Sequence, residues 1–383
     1  MKSDQNIELS IVIPCLNEED TLEVCLQTAN EALEMIDLNS EIIVADNLSD
    51  DRSPEIAREN GARVITVEEQ GYGNALMGGI ASSNGNWVII GDADENHDFL
   101  EIPKFVEKLK EGYELVQGCR FPSGGGRIQP GSMSFLHRKI GNPLFSMLVR
   151  NWFDVQIHDV YCGFRGFRQD LYKRLNQQCT GMEFAPEMII KAGLLEAKIA
   201  EIPITHHPDG RVSNTAHMRT FRDGWRTLRF FLMYSPRWLF LLPGILLFSL
   251  GALFFVLGFT VFSGYDTKFL SQNFIVGSLC ALCGYQSILF AIFTKVFAIN
   301  ERLFPKDARL DRFFEYVNLE RGLIVSAFAL LIGVVFVILG MWNAEYANLS
   351  PRHFLFLGAL MISLAFQTIL FGFFISILGL KRK

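Results

Sequence analysis

VIIGDADENHDF, residues 88–99, carries an apolar β-branched run straight into four acids, Asp92, Asp94, Glu95 and Asp98, within the seven positions after Gly91. A short apolar run closed by glycine has the pattern of a strand buried on both faces, as in parallel sheets covered by helices. The segments around it keep that alternation. LSIVIP (9–14), EIIVAD (41–46), ARVITV (62–67) and YELVQG (113–118) read as further strands. EEDTLEVCLQTANEALEMI (18–36), DRSPEIARENG (51–61), NALMGGIASS (74–83) and DFLEIPKFVEKLK (98–110) read as the helices between them. Strand–helix repeats predict an α/β domain with a mostly parallel sheet, whose ligands sit beyond the carboxyl ends of the strands. Asp46 then ends the second strand, and Asp92 and Asp94 end the fourth.

Paired carboxylates one residue apart repel unless a cation neutralises them. Two readings stand at this point: a solvated acidic turn that caps the next helix, or hard oxygen ligands for Mg²⁺ or Mn²⁺ shared with a substrate's phosphates.

The remainder of the chain is of another kind. At 383 residues it exceeds one typical domain, and beyond Trp238 four charge-free apolar spans follow: Leu239–Phe262, Phe274–Thr294, Gly322–Trp342 and Phe354–Leu380. Each reaches the ~20 residues that cross a bilayer core, and lipid admits such segments only as helices. The expected domains are therefore 1–215, a juxtamembrane segment 216–237, and an all-α membrane domain 238–383 with four transmembrane helices at about 239–262, 274–294, 322–342 and 354–380. Arg302, Lys306, Arg309, Arg312 and Arg321 crowd the link between the second and third spans, and the chain ends KRK, whereas the two other links hold only Lys268 and Arg352. The positive-inside rule places the N-terminal domain, the middle link and the C-terminus in the cytoplasm. MKSDQNIELS lacks a basic start followed by an apolar run, so no signal peptide is expected. The net charge of −6 excludes a broadly basic nucleic-acid binder. Seven scattered cysteines in a reducing compartment predict free thiols.

IVIPCLNEE (11–19), VADNLSDD (44–51), GYGNALMGGI (71–80), GDADENHDF (91–99), GCR (118–120) and CGFRGFR (162–168) occur in an order that resembles glycosyltransferase family 2. The likeness runs from residue 7 to about 235 and points within that family to the polyisoprenyl-phosphate glycosyltransferases. It implies a GT-A catalytic fold, Rossmann-like with a mostly parallel sheet, and an inverting transfer from a UDP- or GDP-sugar to a polyprenyl phosphate at the membrane. By the same resemblance Pro14, Leu16 and Glu18 line the nucleotide base, Asp46 reads base or ribose, and Gly71, Tyr72 and Gly73 form a loop that lets backbone approach the nucleotide. Asp92, Asp94 and Asn96 take the metal and diphosphate positions of the family's DADxQ, with Asn96 in place of glutamine. Arg120 matches the arginine that faces the donor or acceptor phosphate, and Asp159 the aspartate proposed to orient or deprotonate the acceptor. Arg165 and Arg168 are read either as phosphate ligands or as structural partners of Glu183 or Glu187, and Arg211 and Ser213 as lipid-phosphate contacts. The family's membrane enzymes often assemble, which leaves a homo-oligomer open.

Between the two domains, Phe221, Trp225, Leu228 and Leu232 repeat on one helical face and Arg219, Arg222, Arg226 and Arg229 on another. That is the pattern of an interfacial helix with its guanidinium side at phosphates, or of a basic anchor that only obeys topology. Residues 123–131, SGGGRIQPG, read as a mobile lid over the acceptor side, the alternative being an ordinary disordered loop. Three other functions fit the sequence less well. A processive polysaccharide synthase would carry Q-x-x-R-W where this chain has YSPRW (234–238). A lipid-linked sugar flippase would bury ionisable residues in its spans, which here offer only uncharged polar side chains such as Gln286 and Gln367. Intact Asp92, Asp94, Arg120 and Asp159 argue against an inactive binding subunit.

Overall fold

The computed structural model describes residues 7–211, 220–260, 267–301, 304, 308–342 and 351–379. The chain divides into two compact units, Met1–Phe231 and Leu232–Lys383.

The first unit is built on nine strands: β1 Leu9–Cys15, β2 Ser40–Asp46, β3 Arg63–Thr66, β4 Trp87–Ile90, β5 Leu115–Cys119, β6 Arg127–Ile128, β7 Arg165–Arg168, β8 Ile199–Pro203 and β9 Thr205–His206. Seven of them form one sheet in the order β3-β2-β1-β4-β7-β5-β8. β1 pairs in parallel with β2 and β4, so the chain order reverses on either side of β1. That reversal opens a crevice beyond the carboxyl ends of β1 and β4, where ligands bind in such sheets.

The helices are α1 Leu22–Glu34, α2 Ser53–Glu59, α3 Tyr72–Ala81, α4 Ile102–Lys110, α5 Asn142–Phe153, α6 Gln169–Leu175, α7 Phe184–Leu194 and α8 Thr220–Met233. α1 shows why they dock: Leu22, Cys25, Leu26, Ala29 and Ala32 recur at helical spacing and are all buried. They join Ile11, Ile13, Val44 and Phe105 in the main core.

Two features depart from the sequence reading. β7, drawn from CGFRGFR, inserts antiparallel between β4 and β5. Residues 123–131 are not a free lid: β6 pairs with β9, and Phe121 O accepts the N–H groups of Gly124 and Gly126.

Among the described residues of the second unit four helices are long and apolar enough to cross a membrane: Arg237–Gly258, Gln272–Asn300, Leu319–Met341 and Arg352–Leu378. Polar side chains tie them to one another, with the Tyr285 and Thr368 hydroxyls 2.5 Å apart and Ser287 Oγ donating to Phe240 O at 2.8 Å.

Candidate active site

β4 ends at Ile90, and the turn that follows is held from several sides. Glu95 adopts the left-handed region at φ 61°. Asp92 Oδ1 accepts from the Tyr72 hydroxyl at 2.9 Å, and the Asp92 N–H donates to His97 Nδ1 at 3.4 Å. Gly163 lies so close that a Cβ there would stand 2.5 Å from Asp92 Oδ2. Asp94 Oδ1 accepts the Asn96 N–H at 3.2 Å, and the Asn96 amide nitrogen donates to Asp94 Oδ2. Behind the turn, His97 is buried and stacked on Phe164 with ring centroids 5.3 Å apart. Burial pushes His97 down to about 4 and His206 to about 3, so both imidazoles are neutral props at physiological pH.

Burial raises the pKa of both aspartates, and the charge of Asp92 raises Asp94 further. A cation relieves that strain. The donor set suits Mg²⁺ or Mn²⁺: two carboxylates and the Asn96 Oδ1, which is buried without a hydrogen-bond partner. Among the described residues no cluster of three or more His, Cys, Asp or Glu forms a metal site by itself. An ion between these aspartates would therefore draw its remaining ligands from the amide, water or a phosphate.

Two arginines face the acids. Arg211 Nη1 lies 3.2 Å from Glu18 Oε1, its Nη2 3.9 Å from Asp94 Oδ2, and the same guanidinium is held by Asp209 at 2.5 Å. Arg211 thus sits over Asp94 already paired. Burial lifts the Glu18 carboxyl to about 7 despite the opposing charge of Arg211. Arg120, 9% exposed, gives three N–H bonds to the fully buried Asp159: backbone N at 3.1 Å and Nε at 2.7 Å to Oδ2, and Nη2 at 2.9 Å to Oδ1. Burial would raise Asp159, but the charge and hydrogen bonds of Arg120 outweigh it and hold the carboxyl below its usual range. Glu201 Oε1 accepts the N–H groups of His158 at 2.6 Å and Asp159 at 3.1 Å, fixing the segment.

The structure corrects one assignment and narrows another. Arg165 is fully buried and donates to the carbonyls of Cys162 at 2.9 Å, Val160 at 2.9 Å and Ala185, so it is no acceptor-phosphate ligand and pairs with neither Glu183 nor Glu187. Its guanidinium knits turn 160–162 to α7, a role that sequence position does not reveal. Both oxygens of Asp159 accept from Arg120. Arg168 pairs with Asp170 at 3.2 Å. Glu187 instead accepts from the Gln178 and Cys179 N–H groups and pairs with Lys191 at 2.6 Å.

Of the residues expected to line a nucleotide, Pro14 lies within β1, Leu16 and Glu18 follow its end, and Asp46 is buried, accepting the Ser49 N–H at 3.2 Å. Gly71, at φ 141°, would bring a Cβ within 2.5 Å of Thr180 O, and the Gly73 N–H donates to the same oxygen at 2.9 Å. The glycines let this loop dock on residues 179–180. Asn47 was missed in the sequence: its amide donates to Val67 O and Glu69 O and its oxygen accepts the Gly71 N–H at 2.7 Å. His97 was missed as well, although it lies inside the opening motif. Arg226 is half exposed and pairs with Glu183 at 3.0 Å. Ser213 and the side chain of Arg222 lie outside the described residues.

Strand-end acids and guanidinium groups thus meet at the switch point of an α/β sheet. Residues 10–175 match the glycosyl transferase family 2 profile, and residues 292–379 match the glycosyltransferase family 2 C-terminal transmembrane region. A low-salt glycan biosynthesis hexosyltransferase, Agl6, from Haloferax volcanii is 37% identical over 87% of this chain and 79% of its own. A dolichyl-phosphate hexose transferase from the same organism is 32% identical over 52% of this chain and 82% of its own. Among solved structures, glucosyl-3-phosphoglycerate synthase from Mycobacterium tuberculosis, in complex with Mn²⁺, UDP and glucosyl-3-phosphoglycerate, is 21% identical with a TM-score of 0.48, over 60% of this chain and 80% of that one. The chain belongs to glycosyltransferase family 2 and is a membrane glycosyltransferase.

Proposed function

We propose that this chain moves one hexose from a nucleotide-diphosphate sugar to a polyprenyl phosphate, with inversion at the sugar carbon, on the cytoplasmic face of the membrane. The observation that carries the proposal is the pair Asp92 and Asp94, with Arg211 3.9 Å from Asp94 and the charges of Arg120 and Arg211 acting on Asp92, in a chain whose described residues include four bilayer-length helices. The relative named a dolichyl-phosphate hexose transferase supports a lipid phosphate as acceptor. The excess of Lys and Arg in the 300–321 link and the C-terminus supports the cytoplasmic orientation.

Asp94, Asp92 and Asn96 Oδ1 would hold Mg²⁺ or Mn²⁺. When bound, the ion supplies charge neutralisation to the departing diphosphate. Tyr72 and His97 keep Asp92 in place through its carboxylate and its N–H. Arg211, tethered by Glu18 and Asp209, offers positive charge beside Asp94, where phosphate charge builds up. Asp159 fixes the Arg120 fork, and fixed donors act on developing charge without reorganising. An oxygen of the lipid phosphate attacks the anomeric carbon as the bond to the diphosphate oxygen breaks, and the nucleoside diphosphate leaves. A phosphate monoester has a second pKa of about 6, so the attacking oxygen is already ionised at neutral pH. No strong base is required, which matches an Asp159 committed to Arg120.

The test offers the purified full chain radiolabelled UDP- and GDP-hexoses with a polyprenyl phosphate. Label that enters the organic phase only with lipid phosphate and Mg²⁺ or Mn²⁺ supports the proposal. Label that stays aqueous across the whole panel overturns it.

A further inference from the structure

α7 carries a buried ion pair, Glu187 with Lys191 at 2.6 Å, one helical turn apart and 0 and 5% exposed. The bonds it makes go to the segment between α6 and α7. Lys191 Nζ donates to Asn176 O at 2.7 Å, and Glu187 accepts the N–H groups of Gln178 at 3.1 Å and Cys179 at 2.8 Å. Asn176 adopts the left-handed region at φ 47°, and the Gln177 amide donates to Phe184 O at 3.2 Å, so residues 176–179 are pinned along their length. A buried pair contributes little net stability over well-packed apolar side chains, because desolvation offsets the attraction. What this pair supplies is the position of a loop.

The next carbonyl along that loop is Thr180 O. It accepts the Gly73 N–H at 2.9 Å and the Asn74 N–H at 3.3 Å, donors at the start of α3 that no side chain caps. A Cβ at Gly71 would stand 2.5 Å from Thr180 O, and one at Gly73 would collide with Cys179 O, so the approach needs both glycines. Tyr72 lies between them, and its hydroxyl donates to Asp92 Oδ1 at 2.9 Å. Gly163 leaves room for that bond, since a Cβ there would stand 3.2 Å from the Tyr72 hydroxyl oxygen. A continuous path of hydrogen bonds and chain neighbours therefore runs from Glu187 through residues 178–180 and 71–73 to Asp92.

We infer that Glu187 and Lys191 are positioning residues for the metal site: they place Thr180 O, which seats the start of α3 and with it the Tyr72 hydroxyl that orients Asp92. The inference rests on the reading of Asp92 and Asp94 as ligands of Mg²⁺ or Mn²⁺, and adds to that reading a determinant of metal affinity on a helix that holds no ligand. Groups that orient a ligand from outside the coordination shell change metal affinity by about 10–100-fold when removed.

The test measures Mn²⁺ affinity of the full chain in detergent by electron paramagnetic resonance, with neither nucleotide sugar nor lipid phosphate present. Tyr72→Phe should weaken binding by about tenfold or more. Glu187→Leu with Lys191→Met, which removes both charges together, should weaken it by about threefold or more and cause no further loss in the Tyr72→Phe background, because the path ends at that hydroxyl. Glu187→Gln with Lys191→Met, whose amide oxygen can still accept the two N–H groups, should restore the affinity to the wild-type level. Glu41→Gln controls for lost stability alone: Glu41 is at the opening of β2, away from the strand ends that carry the acids, and binds Ser10 and Arg63. Its melting temperature should fall with Mn²⁺ affinity unchanged. Unchanged affinity in Tyr72→Phe, or equal losses from the α7 double substitution with and without the Tyr72 hydroxyl, overturns the inference and leaves the metal reading standing. Equal Mn²⁺ binding by wild type and Asp94→Asn overturns both.

Discussion

Asp159→Asn separates positioning from base catalysis. The substitution keeps the shape of the side chain and removes its charge, while Arg120, 9% exposed, keeps its own. Three N–H groups of Arg120 then face a neutral amide that accepts through one oxygen only. Removing one partner of a buried ion pair costs about 3–5 kcal/mol, because the other charge stays buried without compensation. A domain of this size loses roughly 2–4 °C per kcal/mol, so the catalytic unit should melt on the order of 10 °C lower. A guanidinium displaced by about 1 Å can cost roughly 10²-fold in turnover. The pH dependence then discriminates between the two roles. Arg120 holds the Asp159 carboxyl low, so its stabilising effect is complete above the unfolded carboxylate value and is lost only as pH falls through the lower folded value. Between about pH 6 and 9 Asp159 does not titrate, and kcat/KM of wild type and variant should follow curves of the same shape, the variant lower throughout. The assays are differential scanning fluorimetry in detergent and initial rates across that range. A variant that melts within about 2 °C of wild type, or one that loses an acidic limb which the wild type has, would refute the reasoning.

Four further outcomes follow from the same geometry. Asp94→Asn should abolish turnover in saturating Mg²⁺ or Mn²⁺ while the melting temperature holds or rises, since one of two buried like charges is gone, and fluorimetry beside the activity assay checks both. Arg165→Met leaves three carbonyls without their donor, so it should lower the melting temperature by several degrees with the KM for polyprenyl phosphate in the folded fraction unchanged. Glu18 has its folded pKa raised to about 7 by burial, so its contribution to stability is fully present below its unfolded value and is lost as pH rises through 7; Glu18→Gln should flatten that decline in melting curves taken from pH 5 to 8. Cysteines placed in the 263–273 and 343–353 links should react with an impermeant maleimide on intact cells, and those in the 300–321 link only after lysis.

Much of the site was legible because strand ends are legible. The apolar run 88–90 and its acids fixed the place of Asp92 and Asp94, and EIIVAD fixed that of Asp46. Arg165 was misplaced because charge along a strand does not tell which side is roofed. Only the fold brings α7 over it and supplies Ala185 O. β7 was missed for a related reason: RGFR is too short and too charged to read as a central strand. It becomes one because Gly166 lets Ile89 and Phe105 pack against its backbone, where a Cβ would stand 3.3 and 3.4 Å from them. His97 lay in the opening motif, yet its work is a hydrogen bond to the Asp92 N–H and a stack on Phe164, sixty-odd residues away in sequence. Asn47 likewise acts through long-range bonds to 67–71 that no local pattern encodes.

The central claim is that one sugar passes to one lipid phosphate, and mass spectrometry of the lipid product tests it most directly. Purified full-length protein in vesicles, given its accepted nucleotide-hexose, a polyprenyl phosphate and Mg²⁺ or Mn²⁺, should convert the lipid to a species heavier by one hexose and labile to mild acid, and protein carrying Asp94→Asn should give none. A ladder of hexose additions, or a polymer formed without any lipid phosphate, would contradict the account.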